Sequence, residues 1–173
     1  VSTRKACSSR IIVTGQERDG NIEAPTGATF SDYASLRSDQ VRGPEDLPLF
    51  KPPYSHITAI DMNTGEQLWQ IPIGETPDRV LNHPKLQDID IPDTGTGRNA
   101  QMSVTKALFM YTSAASDGTP MLYFVNKLTG ETLGGIEFDS RSNYGMMTYM
   151  HEGKQYVMLQ TGTKLTALAL YEE

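Results

Sequence analysis

The sequence is poor in the features that most quickly place a protein. It has one cysteine, Cys7, which can form neither an internal disulfide nor a cysteine-rich metal site, so the thiol count leaves the redox compartment open. Cys7 reads as a bystander. No apolar run approaches the length of a membrane span. Residues 1–10 lack the continuous apolar segment of a signal peptide, so any targeting signal is expected outside this chain. The 15 Lys and Arg against 21 Asp and Glu leave a net charge of −6, spread without long runs of one sign. That balance argues against a grip on nucleic acid or on an anionic membrane.

Familiar reactive motifs are missing as well. Gly95-Thr96-Gly97 is too short for a phosphate-binding loop and nothing after it reads as a helix. No serine sits in a nucleophile elbow. His56, His83 and His151 stand far apart, with no pair at i, i+4, whereas zinc needs three or four convergent ligands. Asp88, Asp90 and Asp93 could gather around a hard cation, but they lack the glycine and distal glutamate of an EF-hand and read as a solvated loop. None of these patterns marks a metal site or a nucleophile. Tyr54, Tyr144, Tyr149 and Tyr156, with Met146, Met147, Met150 and Met158, read as sheet packing.

What is present is a repeat. At 173 residues and 38% hydrophobic, the chain can bury the core of one ordinary domain. Ile57-Thr58-Ala59-Ile60-Asp61 alternates like a strand and runs into Asn63-Thr64-Gly65, a turn whose glycine tolerates positive φ. Residues 67–71 return as the partner strand and carry the single tryptophan, Trp69. The design recurs: Thr64-Gly65-Glu66 becomes Thr129-Gly130-Glu131, 65 residues on, and Leu165 follows Leu122 by 43. A Pro-, Asp- and Gly-rich insertion over 78–99 accounts for the difference between the two spacings. The unit is then about 40 to 45 residues, the length of one four-stranded propeller blade.

The pattern predicts an all-β chain, a partial β-propeller of about three four-stranded antiparallel blades. The first blade spans 1–75, with a strand at 10–14 and a long irregular, partner-facing or disordered insertion at 15–53; an inter-blade loop covers 76–101. The second blade occupies 102–139, with strands at 102–105, 107–113, 121–127 and 131–138. The last, over 145–173, lacks a fourth strand, which points to a carboxyl-terminal piece of a larger ring that can self-associate through its open sheet ends.

Ala59, Asp61, Thr64, Gly65 and Trp69 resemble the tryptophan-docking motif of the pyrroloquinoline-quinone (PQQ)-dependent dehydrogenases, which are eight-bladed propellers. In that family the tryptophan packs flat on the neighbouring blade. Residues 47–54 and 147–157 are similar to segments near the end of the glucose-dehydrogenase-like branch, and the resemblance runs from about Gly43 to Leu170. It implies oxidation of a sugar, polyol or other alcohol, with hydride passing to PQQ, Ca²⁺ polarising the quinone and an aspartate as base. It also implies a periplasmic or periplasm-facing location, a quinone or cytochrome as electron acceptor, and the remaining amino-terminal blades as partners. The family's base and calcium ligands belong to earlier blades, so this chain alone is expected to be inactive.

Cofactor contact, on the same resemblance, falls to Asn99 and Ala100 in the approach to the second blade and to Lys51 ahead of Pro52-Pro53. Lys106, after the innermost strand, is a further cation that a carboxylate-bearing quinone would favour. The chain departs from the pattern twice. The usual glycine-rich approach is Thr96-Gly97-Arg98-Asn99-Ala100-Gln101-Met102, with bulkier groups, and the second docking position is Gly134 instead of Trp. The second means that one blade junction is packed differently; the first favours a diverged enzyme or an alternative, a non-catalytic quinoprotein-repeat scaffold of the outer-membrane assembly type.

Overall fold

The computed structural model describes residues 1–5, 8–14 and 33–169. In chain order the elements are β1 (Ser2–Arg4), β2 (Ser8–Thr14), β3 (Tyr33–Gln40), β4 (Ser55–Ile60) and β5 (Gln67–Pro72), then a one-turn helix α1 (Asp78–Leu81). There follow β6 (Met102–Val104), β7 (Leu108–Ala114), β8 (Pro120–Asn126), β9 (Thr132–Glu137), β10 (Met147–His151), β11 (Lys154–Thr161) and β12 (Lys164–Ala169). The all-β expectation holds. Among the described residues no helix is long and apolar enough to cross a membrane.

The strands fall into two compact units, Val1–Lys5 with Lys51–Glu173, and Ala6–Phe50. The second unit pairs β2 with β3 in an antiparallel ladder from Thr14↔Tyr33 to Ser8↔Gln40. A short 3₁₀ turn, Pro44–Asp46, follows, bridged by an Arg42–Asp46 ion pair. This revises the expected layout: the strand at 10–14 pairs with β3 and takes no part in the first blade, and the irregular insertion at 15–53 contains a regular strand. Pairing partners cannot be read from a single strand's composition, and the polar β3 sequence YASLRSDQ carries no alternation. Cys7, residues 15–32 and residues 170–173 lie outside the described residues.

The first unit holds three antiparallel sheets, in the orders β1-β4-β5, β6-β7-β8-β9 and β10-β11-β12. The middle sheet is covered on both faces, which explains why Phe109, Met110, Tyr111 and Thr112 are all buried in one unbroken run. Phe109 and Tyr111 of β7 and Tyr123 and Val125 of β8 cluster with Ile57 and Ile73 of the first sheet and its exit. Met110 and Leu122 point the other way, to Val157 of the third sheet, with Phe124, Phe138 and Leu168 packed around them. Each fully buried aliphatic side chain contributes about 1.5–3 kcal/mol.

The repeat is reproduced bond for bond. In the first turn the Asp61 N–H donates to Glu66 O (2.9 Å) and the Gly65 N–H to Asp61 O (2.7 Å), while Asp61 Oδ1 accepts from the Asn63 N–H (2.8 Å). In the second, Asn126 N–H donates to Glu131 O (2.8 Å), Gly130 N–H to Asn126 O (2.9 Å), and Asn126 Oδ1 accepts from the Leu128 N–H (2.9 Å). Gly65 and Gly130 take the same left-handed φ, 76° and 78°. Even the bulges correspond, between Ala59 and Ile60 in one and between Phe124 and Val125 in the other.

The register also shows how the second junction manages without a tryptophan. Ala59 lies opposite Trp69, and at the equivalent place Phe124 lies opposite Gly134. The aromatic has crossed to the neighbouring strand, and Phe124 packs into the cluster between the second and third sheets.

A β-carbon at Gly130 would stand 2.9 Å from Trp69 Cδ2, whereas one at Gly65 meets nothing within 4 Å. Both Gly→Ala changes carry the left-handed strain of about 1–2 kcal/mol, but only Gly130→Ala also displaces the indole. Gly130→Ala is therefore predicted to lose about 1 kcal/mol more than Gly65→Ala in urea unfolding, with a shift in tryptophan emission that Gly65→Ala lacks. Equal losses would contradict the docking geometry.

Candidate functional site

The junction between the first two sheets is built around Trp69. From β5 its Nε1 donates to the Lys127 carbonyl at 3.0 Å, and its ring lies 5.9 Å from that of Phe109, tilted by 52°. The aromatic contact continues through Phe109–Tyr111 (5.9 Å) and Tyr111–Tyr123 (5.1 Å), both stacked. Glu75 closes the stack: Oε1 accepts from Tyr123 Oη at 3.3 Å and Oε2 from the Ser116 N–H at 3.0 Å. Burial pushes the Tyr111 phenol up to about 12, with the charges of Asp93 and Glu75 adding to it against a hydrogen bond to the Gly74 backbone. Tyr123 is raised too, first by burial and then by the Glu75 charge. Both hydroxyls stay neutral at ordinary pH.

The connector after β5 is less of a free loop than its composition suggests. Ile73 N–H donates to Ser55 O (3.1 Å), Thr96 N–H to Ile73 O (2.8 Å) and Tyr54 N–H to Thr94 O (2.7 Å), so both ends of the connector are fixed at the start of β4. Asp88, Asp90 and Asp93 are exposed upon it, and among the described residues no group of three or more His, Cys, Asp or Glu is arranged to hold a metal. His56 shares a hydrogen bond with Thr3 Oγ1 (2.7 Å to Nε2). His83 Nδ1 accepts from the Lys85 N–H (3.2 Å), and His151 lies beside Glu152 at 3.9 Å.

Among the cavities on this unit, two adjoin residues singled out above. One of about 240 Å³ is bordered by Pro52, Pro53, His56, Pro72, Pro92 and Asp93. The other, about 150 Å³, lies at the end of the middle sheet, where Arg98, Asn99, Ser113, Arg141 and Asn143 meet Phe138. The residues expected to contact a cofactor are not brought together. Asn99 is exposed on the smaller cavity, Ala100 is buried in the core of the first junction, and Lys51 is exposed elsewhere, its carbonyl accepting from Lys5 Nζ (3.2 Å). Lys106 is exposed beyond β6. Ala59, Asp61, Thr64 and Gly65 lie on β4 and its turn, with Trp69 across from Ala59.

Sequence reasoning passed over Glu75 and the Arg98–Arg141 pair. For the arginines a signal existed: they are 43 residues apart, the spacing that also separates Leu122 from Leu165.

The family model described as the glucose/ethanol/alcohol dehydrogenase β-propeller domain, PQQ, matches residues 3–157. The chain belongs to that family. It is 32% identical over 114 residues to the glycerol dehydrogenase large subunit of Gluconobacter oxydans (strain 621H), covering 65% of this chain and 15% of that protein. It is 28% identical over 138 residues to quinoprotein glucose dehydrogenase A of Acinetobacter calcoaceticus, covering 80% of this chain and 16% of that protein. The chain thus spans roughly a sixth of the length of these relatives. Three antiparallel sheets with almost no helix are the partial propeller that membership requires.

The raised Tyr111 phenol sets an alkaline limit on the junction. The folded state holds the proton to about 12 and the unfolded chain to about 10, so this stabilisation is whole below pH ~10 and is lost as pH rises towards 12. Across that window Tyr111→Phe is predicted to flatten the fall in unfolding free energy by up to about 1.4 kcal/mol per pH unit. Identical slopes in urea titrations of the two proteins would refute the assignment.

Proposed function

We propose that the chain is the carboxyl-terminal part of a PQQ- and calcium-dependent quinoprotein dehydrogenase that oxidises a sugar, polyol or other alcohol. The family match over residues 3–157 carries this reading. The Trp69 geometry supports it, because an indole of one sheet seated over Gly130 in the turn of the next, with its N–H bonded to Lys127 O, agrees with the packing on a neighbouring blade that the resembling motif implies.

When bound, PQQ supplies the redox chemistry, and the protein's part is binding, orientation and electrostatics. The residues of this chain do not by themselves fit the group. Ala100 is core, Lys51 and Asn99 border no common cavity, and about 150 Å³ beside Arg98 is well short of the roughly 300 Å³ at which ligand pockets of this size class begin. The quinone, the calcium and the catalytic base are accordingly assigned to the other blades, and residues 1–173 alone are expected to be inactive. We place the whole protein in or facing the periplasm, passing electrons to a quinone or a cytochrome.

A second reading, a non-catalytic propeller scaffold, draws on one observation: Arg98 and Asn99 stand exposed where glycines were expected. Alcohol-dependent dye reduction by the full-length protein supplied with PQQ and Ca²⁺ separates the two. Turnover on at least one member of a broad sugar and alcohol panel is the expected result. Absence of turnover across the panel, with the protein folded, would favour the scaffold.

A further inference from the structure

The smaller cavity is made by two successive repeats presenting equivalent groups. The approach to β6 brings Arg98 and Asn99, and the approach to β10 brings Arg141 and Asn143. Both approaches are held through hydrogen bonds of their main chain. Thr112 N–H donates to Gln101 O (2.9 Å), Gln101 N–H to Thr112 Oγ1 (3.2 Å), and Gly162 N–H to Arg141 O (3.2 Å). Gln101 Nε2 donates to Asn143 O (3.4 Å), which ties the two approaches to each other.

The electrostatics run against the rest of the molecule. In a chain of net charge −6, the described lining holds two arginines and no acid. Ser113 also lines the cavity, although its Oγ is turned away from it towards Gly74. Ala114, Met121 and Phe138 supply an apolar part of the wall.

Size and chemistry narrow the occupant. A volume of about 150 Å³ is that of a cavity able to hold a benzene-sized molecule. A guanidinium presents a planar fork that matches the two oxygens of a carboxylate, and the apolar wall suits a short carbon chain better than a bare inorganic anion. We infer that this cavity binds a small organic carboxylate of about six non-hydrogen atoms, its carboxylate held by Arg98 and Arg141 and its carbon chain against Phe138 and Met121. Such binding involves no redox step and stands whether or not the dehydrogenase reading does.

Calorimetric titration of residues 1–173 with L-lactate tests it, with inorganic phosphate and PQQ as separate arms. One-to-one lactate binding with Kd of about 1 mM or tighter is expected. Arg98→Gln and Arg141→Gln should each weaken it about tenfold or more, and Arg79→Gln, outside the cavity, should not. Because both arginines are exposed, the variants should keep the wild-type circular dichroism and thermal midpoint. Arg141→Lys, which keeps the charge and loses the fork, should fall between. No saturable lactate binding, or unchanged affinity in either Gln variant, would overturn the site. Phosphate binding as tightly as lactate would overturn the carboxylate assignment, and PQQ displacing lactate through the same arginines would make the cavity part of a cofactor site instead.

Discussion

One indole holds the first two sheets in register. A small sheet with nothing packed on its apolar face is a poor folding unit, because that face stays in water. Trp69 meets that problem by presenting a large apolar surface to Phe109 and a donor to the Lys127 carbonyl. A tryptophan so placed, truncated to alanine, typically costs about 3–5 kcal/mol, a large share of a domain's stability. The stack through Tyr111 and Tyr123 to Glu75 extends the same junction to the connector, so packing and polar closure are one continuous feature.

The two junctions obey one geometric rule with different side chains. What the fold requires is an aromatic at one cross-strand position and a small residue facing it. Ala59 with Trp69 and Phe124 with Gly134 both satisfy this, with the large partner on opposite strands. Cross-strand pairs, more than single residues, are the unit of stabilisation in sheets.

Much of the fold was legible where periodicity and turn chemistry coincide. Strands expected at 107–113 and 121–127 are found at Leu108–Ala114 and Pro120–Asn126, because apolar residues run between glycine turns of fixed design. β1 escaped notice, since three polar residues, Ser2–Arg4, carry no alternation. The exchange of Trp for Phe124 escaped too: Gly134 announced a gap, but only the strand register shows which residue faces it. The candidate site was least legible, because its parts come from approaches 43 residues apart whose meeting depends on how the sheets stack.

The first turn carries a seat of its own. Gly65 repeats the conformation of Gly130, and the space above it is open among the described residues where Gly130 receives the indole. A sheet of this kind therefore bears both halves of a self-complementary joint, a knob on its last strand and a socket on its turn. Tandem copying of such a module lengthens an array without inventing a new contact, so the number of petals is free to change while each joint stays the same.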